Sequence, residues 1–138
     1  MNALLFDLAF WVTVPFWALM VFAPAWSWTH RIVSSPWIVL PPVAVWAVLA
    51  VPRFPELWSA VSTPSVEKFT AFAADGGAAA LIWAQIIAWD LFIGRWMYLE
   101  ARRLGIHPLI MGPLLVFTIL LSPIGLPAFL VLRARTRA

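Results

Sequence analysis

The sequence predicts an all-α integral membrane protein, a four-helix bundle with a short amphipathic surface helix between its second and third spans. Three observations predict it. Of 138 residues, 64% are apolar and 11% charged, against about 45–50% and about 25% in soluble domains. The apolar residues gather into four runs, each near the roughly 20 residues that a bilayer span needs. Most of the arginines flank those runs, where they meet lipid headgroups and set topology. Disorder is excluded, because it requires low hydrophobicity.

The first span is expected over about 3–22, interrupted by Asp7 and Pro15. Ala23-Pro24-Ala25 has the shape of a signal cleavage site, but no Lys or Arg precedes the run and Asp7 stands where positive charge belongs. The run therefore reads as a retained helix. Trp26 to Arg31 reads as an interfacial turn. The second span is expected over about 36–51, with a first turn distorted by Pro41-Pro42. Residues 52–75 form the one polar stretch. Within it, Thr63-Pro64-Ser65-Val66-Glu67 has a capping residue ahead of a first-turn Glu, which predicts a surface helix from Ser65 to Ala74. Gly76-Gly77 should end that helix. The third span is expected over about 78–99 and the fourth over about 108–132, kinked at Ser122-Pro123 and Pro127. The whole chain, 1–138, then forms a single transmembrane domain.

An even number of spans would put both termini on one face. That face would carry Arg53, Lys68, Arg133, Arg135 and Arg137, and the other Arg31, Arg102 and Arg103. The positive-inside rule makes the termini cytoplasmic. The Ala, Arg and Trp usage suggests a bacterial inner membrane. The net charge of +3 is explained by headgroup contacts and does not imply nucleic acid. The chain has no cysteine, and His30 and His107 lie far apart, so no metal site and no cofactor is expected. Gly-x-Ser, P-loop and zincin patterns are absent.

Ionisable side chains inside spans are costly and are functional candidates by default. The third span is richest, with Gln85, Asp90, Arg95 and Glu100. At 100° and about 1.5 Å per residue, Asp90 and Arg95 stand about 140° and about 7.5 Å apart. They do not form a pair on one face. Both are candidate catalytic residues, each expected to bond to a neighbouring helix, with Asp7 as the candidate partner of Arg95. Gly94 shares the Asp90 stripe and would admit a ligand or a helix. Gln85 shares another stripe with Trp89, Phe92 and Trp96, one polar group on an aromatic strip. Gln85, Trp89, Gly94 and Trp96 are candidate ligand-binding residues, and a pocket is expected beside Gly94 and the 122–127 break.

The string Trp89-Asp-Leu-Phe-Ile-Gly-Arg-Trp96, with Gln85 before it and Glu100-Ala-Arg-Arg-Leu-Gly-Ile-His107 after it, resembles the signature of the abscisic-acid-deficient-four-like family. Pro15-Phe-Trp17, Trp28-Thr-His-Arg31, Gly112-Pro113 and Pro123-Ile-Gly125 add to the likeness, which covers nearly all the chain. Plant members are plastid-membrane proteins required to make neoxanthin from violaxanthin. The resemblance implies a multi-pass helical fold and a carotenoid or related isoprenoid ligand. It also implies a cofactor-free isomerisation, in which an epoxide opens as its oxygen gains a proton and a carbon-bound proton leaves. Asp90 would then serve as acid or base and Arg95 would stabilise the alkoxide. The competing reading is a non-catalytic pigment- or lipid-binding subunit of a membrane complex. A small transporter ranks last, because no internal repeat is found.

Overall fold

A computed structural model describes residues 2–137. These are helical almost throughout: α1 (Asn2–Trp11), α2 (Val14–Phe22), α3 (Ser27–Ser34), α4 (Leu40–Ala50), α5 (Phe54–Ser62), α6 (Val66–Ala73), α7 (Gly76–Leu104), α8 (Pro108–Leu120) and α9 (Ser122–Arg137), with 3-10 turns at Pro36–Val39 and Val51–Arg53. No strand occurs among the described residues. Three segments are long and apolar enough to cross a membrane: Asn2–Phe22, Pro36–Ser62 and Gly76–Leu104. The all-α membrane class is therefore as predicted. The chain forms two compact units, Met1–Val12 with Leu40–Ala88, and Thr13–Val39 with Trp89–Ala138.

In the first unit, α1 packs on α4. The core holds Ala9, Val45, Leu49, Ala50, Ala80, Leu81 and Ala84. Lipid is as apolar as leucine, so close packing of small residues takes over the role that water exclusion plays in soluble proteins. Phe6 stacks on Trp83 with ring centroids 4.9 Å apart. The prolines shape the second span as their missing N–H groups dictate. Pro41 and Pro42 fall in the first turn of α4, after the distorted 3-10 start, and Pro52 and Pro55 fall in the first turns of the next two elements. None removes a helical hydrogen bond there. The helical path thus runs on to Ser62, eleven residues beyond the expected end at 51.

The surface helix α6 begins where the sequence placed it. The Ser65 side chain caps it by accepting the Lys68 N–H at 3.1 Å. Val66 and Phe69 are exposed along one side. Gly76-Gly77, expected to end that helix, instead opens α7. Asp75 Oδ2 accepts the Ala78 N–H at 3.0 Å as a cap and the Arg53 Nε–H at 2.9 Å as an ion pair. Arg53 Nη1 also donates to the Leu49 carbonyl at 3.1 Å. A Cβ at position 77 would collide with the Arg53 guanidinium, so glycine is what lets the cation reach the cap.

The second unit contains α2, α3, the later part of α7, α8 and α9. The expected turn at 26–31 is a helix, α3, with Thr29 and Val33 buried. The single helix expected over 108–132 is two. They break at Leu121 and fold back on each other, so that Thr118 of α8 lies against Gly125 of α9. Contacts along α9 show its direction. Ser122 meets Asp90, Phe129 meets Trp96 edge-on at 5.4 Å, and Arg133 Nε meets Glu100 Oε1 at 2.7 Å. Therefore α9 runs parallel to α7, and the α8–α9 hairpin starts and finishes at the Glu100 end of α7. At about 1.5 Å per residue its tip reaches about 15 Å from Glu100.

Such a tip is stable in apolar surroundings only if its backbone groups are satisfied. Leu121 N–H donates to the Phe117 carbonyl at 2.7 Å, and the Leu121 carbonyl accepts from Ile124 and Gly125 at 3.0 Å each. Pro123 has no N–H to leave unpaired. The Ser122-Pro123 pair is thus a helix start, and the expected mid-span kink is a reversal.

One prediction concerns the Arg53–Asp75 latch. The guanidinium bond and the Ala78 N–H hold the Asp75 carboxyl below the usual carboxylate range. A carboxylate depressed in the folded state stabilises it above the unfolded pKa, and the contribution fades as pH falls through the depressed value. Acidification from about pH 6 to about pH 3 should therefore raise exchange at the Ala78 amide, corrected for intrinsic rate, more than at mid-α7 amides. Asp75→Ala, which removes the accepting oxygen, should exchange fast at both ends of that range, and equal pH responses in the two proteins would refute the latch.

Candidate functional site

Asp90 lies mid-way along α7 and is 7% exposed. The Ser122 side chain, at the first residue of α9, lies near its carboxyl, which stands toward the positive end of the α9 dipole. A hydroxyl there eases a charge that would be expensive alone inside a spanning helix. Asp90 faces the protein interior, as expected. Ser122 was legible only as part of a break.

Arg95 also bonds to a neighbouring helix, but not to Asp7. Its Nε donates to the Val33 carbonyl at 2.8 Å and its Nη2 to the Ser34 carbonyl at 2.7 Å, while Asp7 is exposed on α1. The reason is the end of α3. A helix leaves its last carbonyls without intrahelical partners, and the guanidinium fork supplies two charge-assisted donors and a positive charge at the negative end of the dipole. Its face also lies 5.5 Å from the Phe92 ring centroid. Asp90 and Arg95 are not bonded to each other.

Gly94 is buried, and the expected pocket beside it is filled. A Cβ there would stand 2.5 Å from Cζ3 of Trp17, with the next ring atom closer still. The glycine admits the Trp17 ring of α2. Trp96 is half-buried, with Phe129 against its edge and the Arg133 guanidinium 5.6 Å from its centroid. Trp89 and Phe92 face outward, 61% and 47% exposed. Gln85 is half-buried on the α7 stretch that belongs to the first unit. The predicted residues thus divide into an interior carboxylate, a helix-end clamp, a packing glycine and an outward aromatic strip.

A second polar cluster lies one to two turns further along α7. The buried Tyr98 hydroxyl donates to the Pro24 carbonyl at 2.7 Å. Arg102 Nη1 donates to the same carbonyl and, at 3.4 Å, to the Tyr98 oxygen. Tyr98 is the only tyrosine in the chain and stands four residues before Arg102. That spacing puts both on one helix face and was the available signal. Beside them lies a cavity of about 330 Å³. A larger cavity of about 990 Å³ belongs to the first unit, lined among others by Leu49, Arg53, Glu56, Lys68 and Phe72 and by none of the predicted site residues.

Fold and site together define a multi-pass helical membrane protein with a carboxylate buried half-way along one of its spanning helices. The chain matches the ABA DEFICIENT 4-like family model over residues 4–129 and belongs to the ABA4-like family. No curated protein and no solved structure matches it.

Because Trp17 fills the space at Gly94, Gly94→Ala should destabilise the protein by about 1–3 kcal/mol through overpacking. In a Trp17→Leu background the same substitution should cost much less, since the ring it strikes is gone. Thermal unfolding of the four proteins in detergent measures the coupling. Additive effects would show that the two residues do not meet.

Proposed function

We propose that this protein binds an isoprenoid of the carotenoid type within the membrane and isomerises it without a cofactor. The observation that carries the reading is the Asp90 carboxyl, buried on α7 with the Ser122 side chain of α9 near it, in a chain from the ABA4-like family. The carboxyl contacts the oxygenated end of the ligand, and Ser122 fixes its orientation. The outward strip of Trp89 and Phe92 offers flat apolar surface to the polyene. Asp90 gives a proton to an epoxide oxygen as the carbon–oxygen bond opens. The carbon-bound proton passes to the Asp90 carboxylate left by that step, directly or through a water, as its C–H electron pair forms the new double bond; an allene and an alcohol result, Asp90 regains its proton, and atoms and electrons balance. Arg95 spends Nε and Nη2 on the end of α3, so its part is to hold the helices around Asp90 and not to donate to an alkoxide from those atoms.

A second reading is ligand binding without turnover, as a subunit of a larger membrane complex. The use of Arg95 as a helix clamp favours it. Expression in a carotenoid-accumulating host, followed by purification and chromatography of the extracted pigment, separates the two. On the first reading, pigment co-purifies with the wild type and is converted, while Asp90→Asn retains pigment and converts it about 10²–10⁴-fold more slowly. Pigment bound but unchanged by either protein supports the subunit reading. Wild-type protein without pigment or other isoprenoid would sink both.

The orientation we propose departs from the expectation of two cytoplasmic termini. With three crossing segments and an α8–α9 hairpin that enters and leaves on one face, the chain's ends lie on opposite faces. The face at the C-terminus then holds Arg31, Arg102, Arg103, Arg133, Arg135 and Arg137, and the other holds Arg53 and Lys68. The positive-inside rule puts the C-terminus in the cytoplasm of a bacterial inner membrane. Because the chain has no cysteine, single-cysteine variants test this directly. Ser65→Cys should react with an impermeant maleimide on cells whose inner membrane is intact, and Thr136→Cys only after lysis. Labelling of Thr136→Cys before lysis would overturn the orientation.

A further inference from the structure

We propose that the cavity at the end of α7 binds a phosphate group, carried by a lipid headgroup or by a soluble phosphate. The cavity, about 330 Å³, is lined by Tyr98, Arg102 and His107, and by Met20, Ile106 and Met111 among its apolar residues. No carboxylate lines it. The surrounding unit has seven arginines against two carboxylates, Asp90 and Glu100. Of these, Glu100 is held by Arg103 at 2.6 Å and Arg133 at 2.7 Å. An anion entering the cavity meets positive charge with no nearby competitor.

The donors are prepared for it. Arg102 is anchored along one edge, where Nη1 holds the Pro24 carbonyl and the Tyr98 oxygen. Tyr98, buried and bonded to the same carbonyl, fixes that edge. The N–H groups on Nε and Nη2 have no hydrogen bond among the described residues, and a guanidinium fork matches two oxygens of a phosphate. His107 adds a third donor. Its Nδ1 accepts the Leu109 N–H at 3.0 Å and caps α8, which assigns the ring proton to Nε2 in the neutral form. Holding these groups in place before binding lowers the entropic cost of recognition.

The level also fits a headgroup. Pro24 and Ala25 line the cavity, and Trp26 and Trp28 follow immediately, each 52% exposed. Tryptophans at that exposure mark the membrane–water interface, and basic pockets between helices at that level take lipid phosphates. The Met20, Ile106 and Met111 wall would meet the first carbons of an acyl chain.

The test uses the full chain purified in detergent and follows thermal unfolding against three probes: dioctanoyl phosphatidylglycerol, dioctanoylglycerol and inorganic phosphate. The phosphatidylglycerol should raise the unfolding temperature saturably, and dioctanoylglycerol, which has the same chains without phosphate, should not. Arg102→Gln should weaken the phosphatidylglycerol response at least tenfold. His107→Asp keeps a good helix cap while placing a negative charge in the cavity, so it should fold and lose the response. Arg135→Gln, which removes the same charge from the C-terminal tail, should respond as wild type. Saturation by inorganic phosphate at concentrations as low as for the lipid supports the site and assigns it to a soluble phosphate; a response to the lipid alone assigns it to a headgroup. The proposal is overturned if dioctanoylglycerol stabilises equally, if His107→Asp folds and binds as wild type, or if Arg135→Gln weakens binding as much as Arg102→Gln.

Discussion

Arg95 donates to the Val33 and Ser34 carbonyls, and the packing of the second unit depends on that pair of bonds. A short helix such as α3 would otherwise end with open acceptors in a region that offers little water. In apolar surroundings each unsatisfied group costs several kcal/mol. Ending α3 there allows the chain to pass through the Pro36–Val39 turn into α4. It also fixes α3 against the stretch of α7 that holds Asp90 on one side and Tyr98 on the other. The same requirement recurs wherever the helical ladder is interrupted. Asp75 closes the start of α7, His107 closes the start of α8, and the Leu121 N–H and carbonyl are both engaged at the hairpin tip. Polar side chains in this protein are used first to complete the backbone.

That ordering bears on function. A site in a soluble enzyme can draw on many charged groups, whereas here Arg53, Asp75, Arg95, Glu100 and Arg133 have structural duties. Asp90 is different, because the side chain near its carboxyl is a hydroxyl and not a cation. Such a carboxyl keeps acceptor and, when protonated, donor capacity. Glu100, by contrast, is already shared between two arginines.

Composition made the membrane class legible, because 15 charged residues cannot cover a soluble domain of this length. The Ser65 cap and the α6 helix followed from a local pattern whose physics is complete within a few residues. The second span runs past its expected end because Pro52 and Pro55 each lie in a first turn where an N–H is not needed, and which turn a proline occupies depends on tertiary packing. The reversal at Leu121 was hidden for the same reason: Ser-Pro serves equally as a kink or as a start. At the site, Asp90 was legible from its cost, and Arg95 as a group bonded to another helix. The partners of Arg95 were not, since backbone carbonyls carry no sequence signature. Gly94 fits a ligand or an indole equally well on paper, and only the position of Trp17 decides between them.

The parallel course of α7 and α9 has a consequence for biogenesis. A helix that follows α7 in sequence and crossed the bilayer beside it would run antiparallel to it and carry its terminal arginines to the far side. Each arginine costs about 2.5–3.5 kcal/mol at the bilayer centre. Here α8 descends and α9 returns, so Arg133, Arg135 and Arg137 finish at the end of α7 from which the hairpin left. The α8 segment, 13 residues long, is also shorter than the roughly 20 that an inserting span requires. The hairpin therefore needs to carry no arginine across, and the Trp96–Phe129 and Glu100–Arg133 contacts hold α9 along α7.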